Sequence, residues 1–294
     1  MVSCNARENM PDYVALLGTK GGPAIRPKST MPTSNLLCLN GRHIVVDCGL
    51  GVSRGLVDQG MELKDLNLIF ITHLHSDHYL ELGPLLHTAW TAGLNRVVDV
   101  YGPAELDRYW AGFLTSMQND IDLRIENEGR PNIRDLVVFH VINETDVVAL
   151  SDLRVTSFRN IHPPLINTFA LSFKTNKTHV VFGGDTAYMP ELAEFAKGAD
   201  LLVHEAVLVE GIMPLVARIG NGDERLLKHL YESHTSAADA AKIATLAGVK
   251  ALALNHLLPS DDPNFTTEHW QKAVESEWSG RFYLGYDGIR IDLN

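Results

Sequence analysis

The chain has 294 residues, with 36 acidic and 25 basic side chains, and so a formal charge of −11 with histidine counted as neutral. Hydrophobic residues make up 45% and charged residues 21%, which supplies a full core and excludes a disordered chain, a collagen-like fibre and a disulfide-stapled miniprotein. The acidic balance also argues against a large polyanionic partner, because nucleic-acid binders need a basic footprint to neutralise phosphates.

The first segment, MVSCNARENMPDY, has no apolar signal stretch, and no run in the chain reaches the ~18 apolar residues of a membrane span. Residues 44–47 (IVVD) predict a strand ending at Cys48-Gly49, and 66–72 (LNLIFIT) predict a strand buried on both faces. A long segment, 103–150, carries the aromatic stretch Tyr109-Trp110-Ala111-Gly112-Phe113. FALSFK (169–174) and HVVFG (179–183) flank Thr175–Thr178 and predict a hairpin. A helix follows Pro190 and stops at Gly198, and DLLVH (200–204) predicts another buried strand.

A second long segment, 207–232, precedes SHTSAADAAKIATLAGV, where Ser236 and Asp239 have capping-box spacing. Ala237, Ala240, Ala241, Ala244 and Ala247 line one face of that helix before Gly248 ends it. KALALN (250–255) predicts a buried strand, and FYLGYDGIRI a closing hairpin. Strands thus alternate with helices, with no polar linker or low-complexity tract, and a single α/β domain over 1–294 is expected. The three cysteines (Cys4, Cys38, Cys48) have no C-x-x-C spacing, so reduced thiols in a cytoplasmic protein are expected.

Thirteen histidines outnumber the cysteines, methionines and tryptophans taken singly. The informative group is Thr72-His73-Leu74-His75-Ser76-Asp77-His78, directly after the apolar run. Strand alternation can aim His73, His75 and Asp77 to one side, with His78 added as the chain turns. Imidazole nitrogen and carboxylate oxygen are the usual ligands of catalytic zinc and also suit iron or manganese.

The cluster resembles the signature of the metallo-β-lactamase superfamily. Leu17-Gly18-Thr19, Asp47-Cys48-Gly49, THLHSDHYLELGPLL, Gly184-Asp185-Thr186, His204-Glu205-Ala206, Ser233-His234-Thr235 and Asn255-His256-Leu257 follow in an order similar to the branch of ribonuclease Z, phosphodiesterases and arylsulfatase-like hydrolases. The resemblance implies a four-layer αββα sandwich with a two-metal site at one rim. His73, His75 and His162 would hold one metal, and Asp77, His78 and His256 the other, with Asp185 bridging. Zinc is the expected ion, with manganese or iron as alternatives.

The implied reaction is hydrolysis by a hydroxide held between two metals, cleaving an ester, lactone, amide or phosphodiester bond of a small molecule. Asp77 sits at that reacting centre, and Glu205 would orient His234 to protonate the leaving group. Asp47 is expected to steady the ligands from behind. The alternatives are a ribonuclease Z-like phosphodiesterase and a non-hydrolytic metal-binding or redox relative. Ribonuclease Z grips tRNA with an arm inserted between the His162-type ligand and the bridging aspartate. Here the hairpin fills most of residues 163–184, so a small-molecule substrate is expected in place of RNA. The segments 103–150 and 207–232 are candidates for lids or a homodimer contact. His43, His87, His140, His179, His204, His229 and His269 have no such spacing; His204 is expected to be packed in its strand.

Overall fold

The computed structural model describes residues 11–143 and 145–293. Its first sheet collects β1 (Tyr13–Gly18), β2 (Ser34–Leu39), β3 (Arg42–Cys48), β4 (Leu68–Phe70), β5 (Val98–Gly102) and β6 (Val137–Val141). The second runs from β7 (Thr145–Ala149) through β8 (Arg154–Arg159), β9 (Phe169–Lys174), β10 (His179–Phe182), β11 (Leu201–Val207) and β12 (Ala251–Leu258) to β13 (Arg281–Leu284). The last strand, β14 (Ile289–Asp292), returns to pair antiparallel with β1.

The FYLGYDGIRI segment is therefore not a hairpin. Its first strand lies parallel to β12 and its second belongs to the opposite sheet, so the turn between them joins the two layers. The strand expected over 66–72 shortens to β4, and the chain from Ile71 to His75 carries the histidines out of the sheet.

Side-chain alternation explains why these strands read as unbroken apolar runs. In β1, Tyr13, Ala15 and Leu17 face the helices while Val14 and Leu16 face the other sheet. In the second sheet, Leu201, Val203, Ala251 and Ala253 fill the space between sheets, and Leu202, Leu252 and Leu254 meet helices. Both faces of each sheet are covered, so both sets must be apolar.

The first outer layer contains α1 (Val52–Asp58), the short turn α2 (Ser76–Tyr79), α3 (Leu82–Thr91), α4 (Leu106–Ser116) and α5 (Gln118–Glu128). Leu106, Trp110 and Ile121 from the 103–150 segment join the core behind the first sheet. The other layer holds α6 (Leu192–Phe195), α7 (Val209–Ile219), α8 (Glu224–Ser233), α9 (Ala237–Ala247) and α10 (Thr267–Glu275). The α9 boundaries follow the sequence signals: the Ser236 hydroxyl accepts from Asp239 N, and Gly248 ends the helix at φ 61°. Its five alanines are buried against the sheet.

Two strand ends near the rim carry bulges. Between β2 and β3 the register passes from Asn35↔Val46 to Ser34↔Cys48, leaving Asp47 as the extra residue at φ 64°. Between β11 and β12 it passes from Glu205↔Asn255 to Ala206↔Leu257, leaving His256 as the extra residue at φ 43°. A bulge re-aims the inserted side chain, and left-handed backbone at a non-glycine residue is held only where its surroundings over-determine it. Between these bulges, Asn255 Nδ2 donates to Asn35 Oδ1 at 2.8 Å and ties the sheets together.

No described helix is long and apolar enough to cross a membrane. Cys38 and Cys48 are buried free thiols, and Cys4 lies outside the described residues.

Candidate metal centre

The rim between the sheets gathers the sequence-predicted residues from seven chain segments. The loop after β4 brings His73 and His75, and α2 brings Asp77 and His78. A helical turn, rather than strand alternation, sets the last two apart from the first two. His162 follows β8, Asp185 follows β10, and Glu205 lies within β11 just before its register shift. His234 is the C-cap of α8, and His256 is the bulged residue of β12. Gly184 precedes Asp185 at φ 61°, where a Cβ would stand 2.7 Å from Phe169 O, so the backbone can reach the rim only without a side chain there.

Two donor groups result. His73 Nε2 lies 3.2 Å from His75 Nδ1, and His162 Nε2 lies 2.9 Å from the same atom. Asp185 Oδ2 stands 3.7 Å from His73 Nε2 and 4.0 Å from His162 Nε2. In the second group, Asp77 Oδ2 is 3.2 Å from His256 Nε2 and 3.6 Å from His78 Nε2. The same Asp185 oxygen is 3.3 Å from His78 Nε2 and 3.1 Å from His256 Nε2. It therefore faces both groups.

The donors fit metal ions. Tetrahedral bonds of 2.0–2.1 Å would put neighbouring donor atoms about 3.3 Å apart, and each set lies within 4.8 Å. On three of the rings, His78, His162 and His73, the outer nitrogen is already committed, which leaves the inner one free to coordinate. His78 Nδ1 donates to Asp47 Oδ2 at 2.8 Å, and His162 Nδ1 donates to the Ser233 carbonyl at 2.7 Å. His73 Nδ1 donates to Thr72 Oγ1 at 3.1 Å, and that hydroxyl donates to Asp47 at 3.0 Å. The inner His78 Nε2 is buried without a hydrogen-bond partner, a costly arrangement unless it serves a ligand.

Charge differs across the site. Burial drives His73 well below its ordinary pKa, with the neighbouring His78 charge adding to it. Burial and His162 carry His75 down to about 4. For His256, burial opposes the charged form, but Asp185, Asp77 and Glu205 outweigh it and raise the ring to about 10. His78 is likewise raised, with Asp185, Asp47 and Asp77 overcoming burial. Asp77 and Asp185 are held well below the carboxylate range: burial works against their charge, and His78 and His256 reverse it.

Beside the donors, His234 Nδ1 donates to Glu205 Oε2 at 2.6 Å, and Thr186 N donates to Glu205 Oε1 at 2.6 Å. The His234 ring stacks on His256 at 5.4 Å. These residues open on a cavity of about 320 Å³, lined by His75, Asp77, Asp185, His234 and His256 on one side. Leu215 and Ile219 of α7, with Leu226 and Leu230 of α8, form an apolar wall, so the 207–232 segment borders the donors. No described residue of 103–150 lines this cavity.

Three residues were not legible as site residues in the sequence. His229 sits 5.7 Å from the His75 ring, 5.5 Å from His162 and 5.4 Å from His234. Its i,i+4 spacing to Ser233 places both on one helix face, a signal that could have found it. Ser233 itself holds two rings, accepting from His162 at its carbonyl and from His229 at its hydroxyl. Lys20 lines the cavity from the loop after β1. Among the other histidines, His87 pairs with Asp120 at 2.9 Å, and His204 Nδ1 donates to the Glu205 carbonyl at 2.8 Å.

Fold and donor arrangement define a metallo-β-lactamase superfamily hydrolase of the ribonuclease Z branch. Among solved structures, the chain matches the metallo-β-lactamase fold protein YhfI from Bacillus subtilis with a TM-score of 0.70 at 20% identity, covering 96% of this chain and 100% of that one. It matches the short form of human tRNase Z with a TM-score of 0.67 at 21% identity, covering 96% and 99%. A ribonuclease Z from Mycobacterium marinum is 28% identical over 284 residues, 96% of this chain and 98% of the relative. Residues 14–214 match the model of the family described as Anti-Pycsar protein Apyc1, and the chain belongs to that family.

Proposed function

We propose that the chain is a two-metal hydrolase of small phosphodiesters, loaded with zinc. The observation that carries this reading is the single Asp185 oxygen facing two complete donor sets at the mouth of a cavity of about 320 Å³. His73, His75 and His162 would hold one ion and Asp77, His78 and His256 the other, with Asp185 shared. Bound divalent ions lower the pKa of water and neutralise charge on a scissile phosphoryl group.

The chain's own residues supply the rest. Glu205, fixed by Thr186 N, accepts a hydrogen bond from His234 Nδ1 and so orients that ring. His234 can then deliver the Nε2 proton to a departing oxygen. Asp77 is anchored by Gly22 N, which donates to its Oδ2 at 2.8 Å, so the loop after β1 is registered against the reacting centre. The α7–α8 wall excludes water from the apolar part of the substrate.

A second reading is favoured by the end-to-end match to ribonuclease Z: RNA as substrate. It runs against the expectation that nucleic acid is disfavoured, which rested on the −11 charge and the short 163–184 interval. That interval holds the β9–β10 hairpin.

One panel decides between them. Zinc- and manganese-loaded protein is assayed on bis(p-nitrophenyl) phosphate, p-nitrophenyl acetate and a precursor tRNA carrying a 3′ trailer. Cleavage of the small phosphodiester, abolished by chelation and by His75→Ala, is expected. Trailer removal at low enzyme concentration without small-diester cleavage would overturn the small-substrate reading, and full activity in verified metal-free protein would overturn the metal mechanism.

A further inference from the structure

Lys20 is a cation in an unusual place. It is 3% exposed, yet its amine pairs with no carboxylate: Nζ donates to Gly21 O at 2.7 Å and to Gly22 O at 3.0 Å. An ammonium has three donors, so two backbone carbonyls leave one unused. Burying a charge without a counter-ion is costly and persists where a partner is supplied. The other cation among the described lining residues, Arg26, is already committed to Asp261 at 2.9 Å. Asp261 also takes Arg218 of α7 at 2.7 Å, so it and Asp77 act on Lys20 only as charges without a direct ion pair.

The loop that carries Lys20 is pinned against the donor sets. Leu257 N donates to Thr19 O at 2.8 Å, and Gly21 N donates to Leu257 O at 3.1 Å, both at the residue directly after the His256 bulge. A Cβ on Gly21 would stand 2.9 Å from His256 Cε1 and 2.6 Å from Leu258 Cγ, so the backbone touches the histidine ring itself. Asp287 fastens both ends of the loop, accepting from Thr19 N at 3.0 Å, Thr19 Oγ1 at 2.9 Å and Met31 N at 2.7 Å. A second polar group on the same wall is also unspent: Ser260 Oγ is buried with no hydrogen-bond partner and lines the same cavity.

We infer that Lys20 is a substrate-binding residue whose free donor receives an anionic phosphoryl oxygen in the cavity, with the Ser260 hydroxyl beside it as a second donor. This rests on the phosphodiester reading and narrows it. The substrate carries a full negative charge at the group facing Lys20, with its apolar remainder against Leu215, Ile219 and Leu226. A neutral carboxylic ester or lactone would leave the amine buried and unpaired.

The test uses inorganic phosphate on zinc-loaded full-length protein, by calorimetry, for wild type, Lys20→Met and Ser260→Ala, with zinc content and near-ultraviolet dichroism as controls. A charge-assisted hydrogen bond lost at a buried site predicts phosphate affinity about 10- to 100-fold weaker in Lys20→Met, zinc unchanged, and a smaller loss in Ser260→Ala. Equal affinity in Lys20→Met and wild type overturns the inference. Should Lys20→Met fail to fold, wild-type protein is treated with acetic anhydride with and without saturating phosphate, and Lys20 acetylation is read by mass spectrometry. Protection by phosphate supports the inference, and unchanged acetylation overturns it. The outcomes separate from the reaction reading: phosphate bound through Lys20 in an enzyme that cleaves no phosphodiester leaves the subsite standing and removes the reaction.

Discussion

On one side of Asp185 the histidines are neutral, and on the other they hold protons. Burial keeps His73 and His162 below their ordinary values and His75 at about 4, so the first set presents lone pairs at neutral pH. In the second set, the charges of Asp185 and Asp77 overcome burial and hold the protons on His78 and His256, the latter to about 10. A cation can enter the first set without displacing a proton, whereas the second must expel the two protons that balance its carboxylates. On the proposed two-metal reading, three neutral rings and one carboxylate are expected to fill first, and the second set later and with a pH dependence of its own.

The strongest way to break this contrast is to remove what the sets share. Asp185→Ala takes away the one oxygen that lies 3.1 Å from His256, 3.3 Å from His78 and 3.7 Å from His73. Hydrolysis is expected to fall to background. Metal analysis should show the second set emptied and the first weakened, because the closer distances lie in the second. Retained hydrolysis at near the wild-type rate would show that the sets do not act through this carboxylate.

Changing pH separates the sets without mutation. His256, raised from 6.5 to about 10, stabilises the metal-free fold fully below its unfolded value and loses that contribution as pH rises through about 10. His75, lowered from 6.5 to about 4, contributes above 6.5 and loses the contribution as pH falls towards 4. Asp77, Asp185 and Glu205 are the charges that face His256. Thermal melts of metal-free protein should therefore decline on both sides of a maximum near pH 6.5. His256→Gln should shrink the alkaline limb, leaving the share of His78, and His75→Gln should shrink the acid limb, leaving the share of His73 and His162. Zinc titrations should show weak pH dependence for the first ion and, for the second, a gain on the order of 100-fold per pH unit from two displaced protons. The same slope for both ions would remove the distinction.

How far each set could be read from the sequence follows the same divide. His73, His75, Asp77 and His78 lie within one short segment after a buried strand, so ligand density alone marked them. The helical turn that parts Asp77 and His78 from the other two had no cue strong enough to displace strand alternation. His162, Asp185 and His256 each sit alone at a separate strand end, and only the family resemblance brought them together. The reason is physical: His256 reaches the rim through a bulge at φ 43°, and register slips of that kind leave no mark in hydrophobic periodicity. The layered sandwich was visible in its apolar runs, because both faces of each strand are covered. The assignment of β13 and β14 to different sheets was not, since a turn joining two layers looks like a hairpin turn. Lys20, Ser233 and His229 were missed because their roles depend on backbone carbonyls and rings distant in sequence.

The smallest effect tests the support behind the donors. Asp47, the other bulged residue, accepts directly from His78 Nδ1 at 2.8 Å but reaches His73 only through the Thr72 hydroxyl. Thr72 N also donates to Asp47 Oδ1 at 2.8 Å, so one carboxylate orients a ring in each set with unequal directness. Asp47→Asn keeps the shape and halves the acceptor capacity, and loss of a partner behind a ligating histidine costs about 10- to 100-fold in metal affinity. That loss should fall on the second ion, where the bond is direct, with the first ion changed less because Thr72 can still accept from His73. Competition with a chromophoric chelator reads both steps on one sample. An equal loss at both steps would mean that the bulge positions the whole loop from Thr72 to His78 as a unit, and that the two sets differ in charge but not in how they are held.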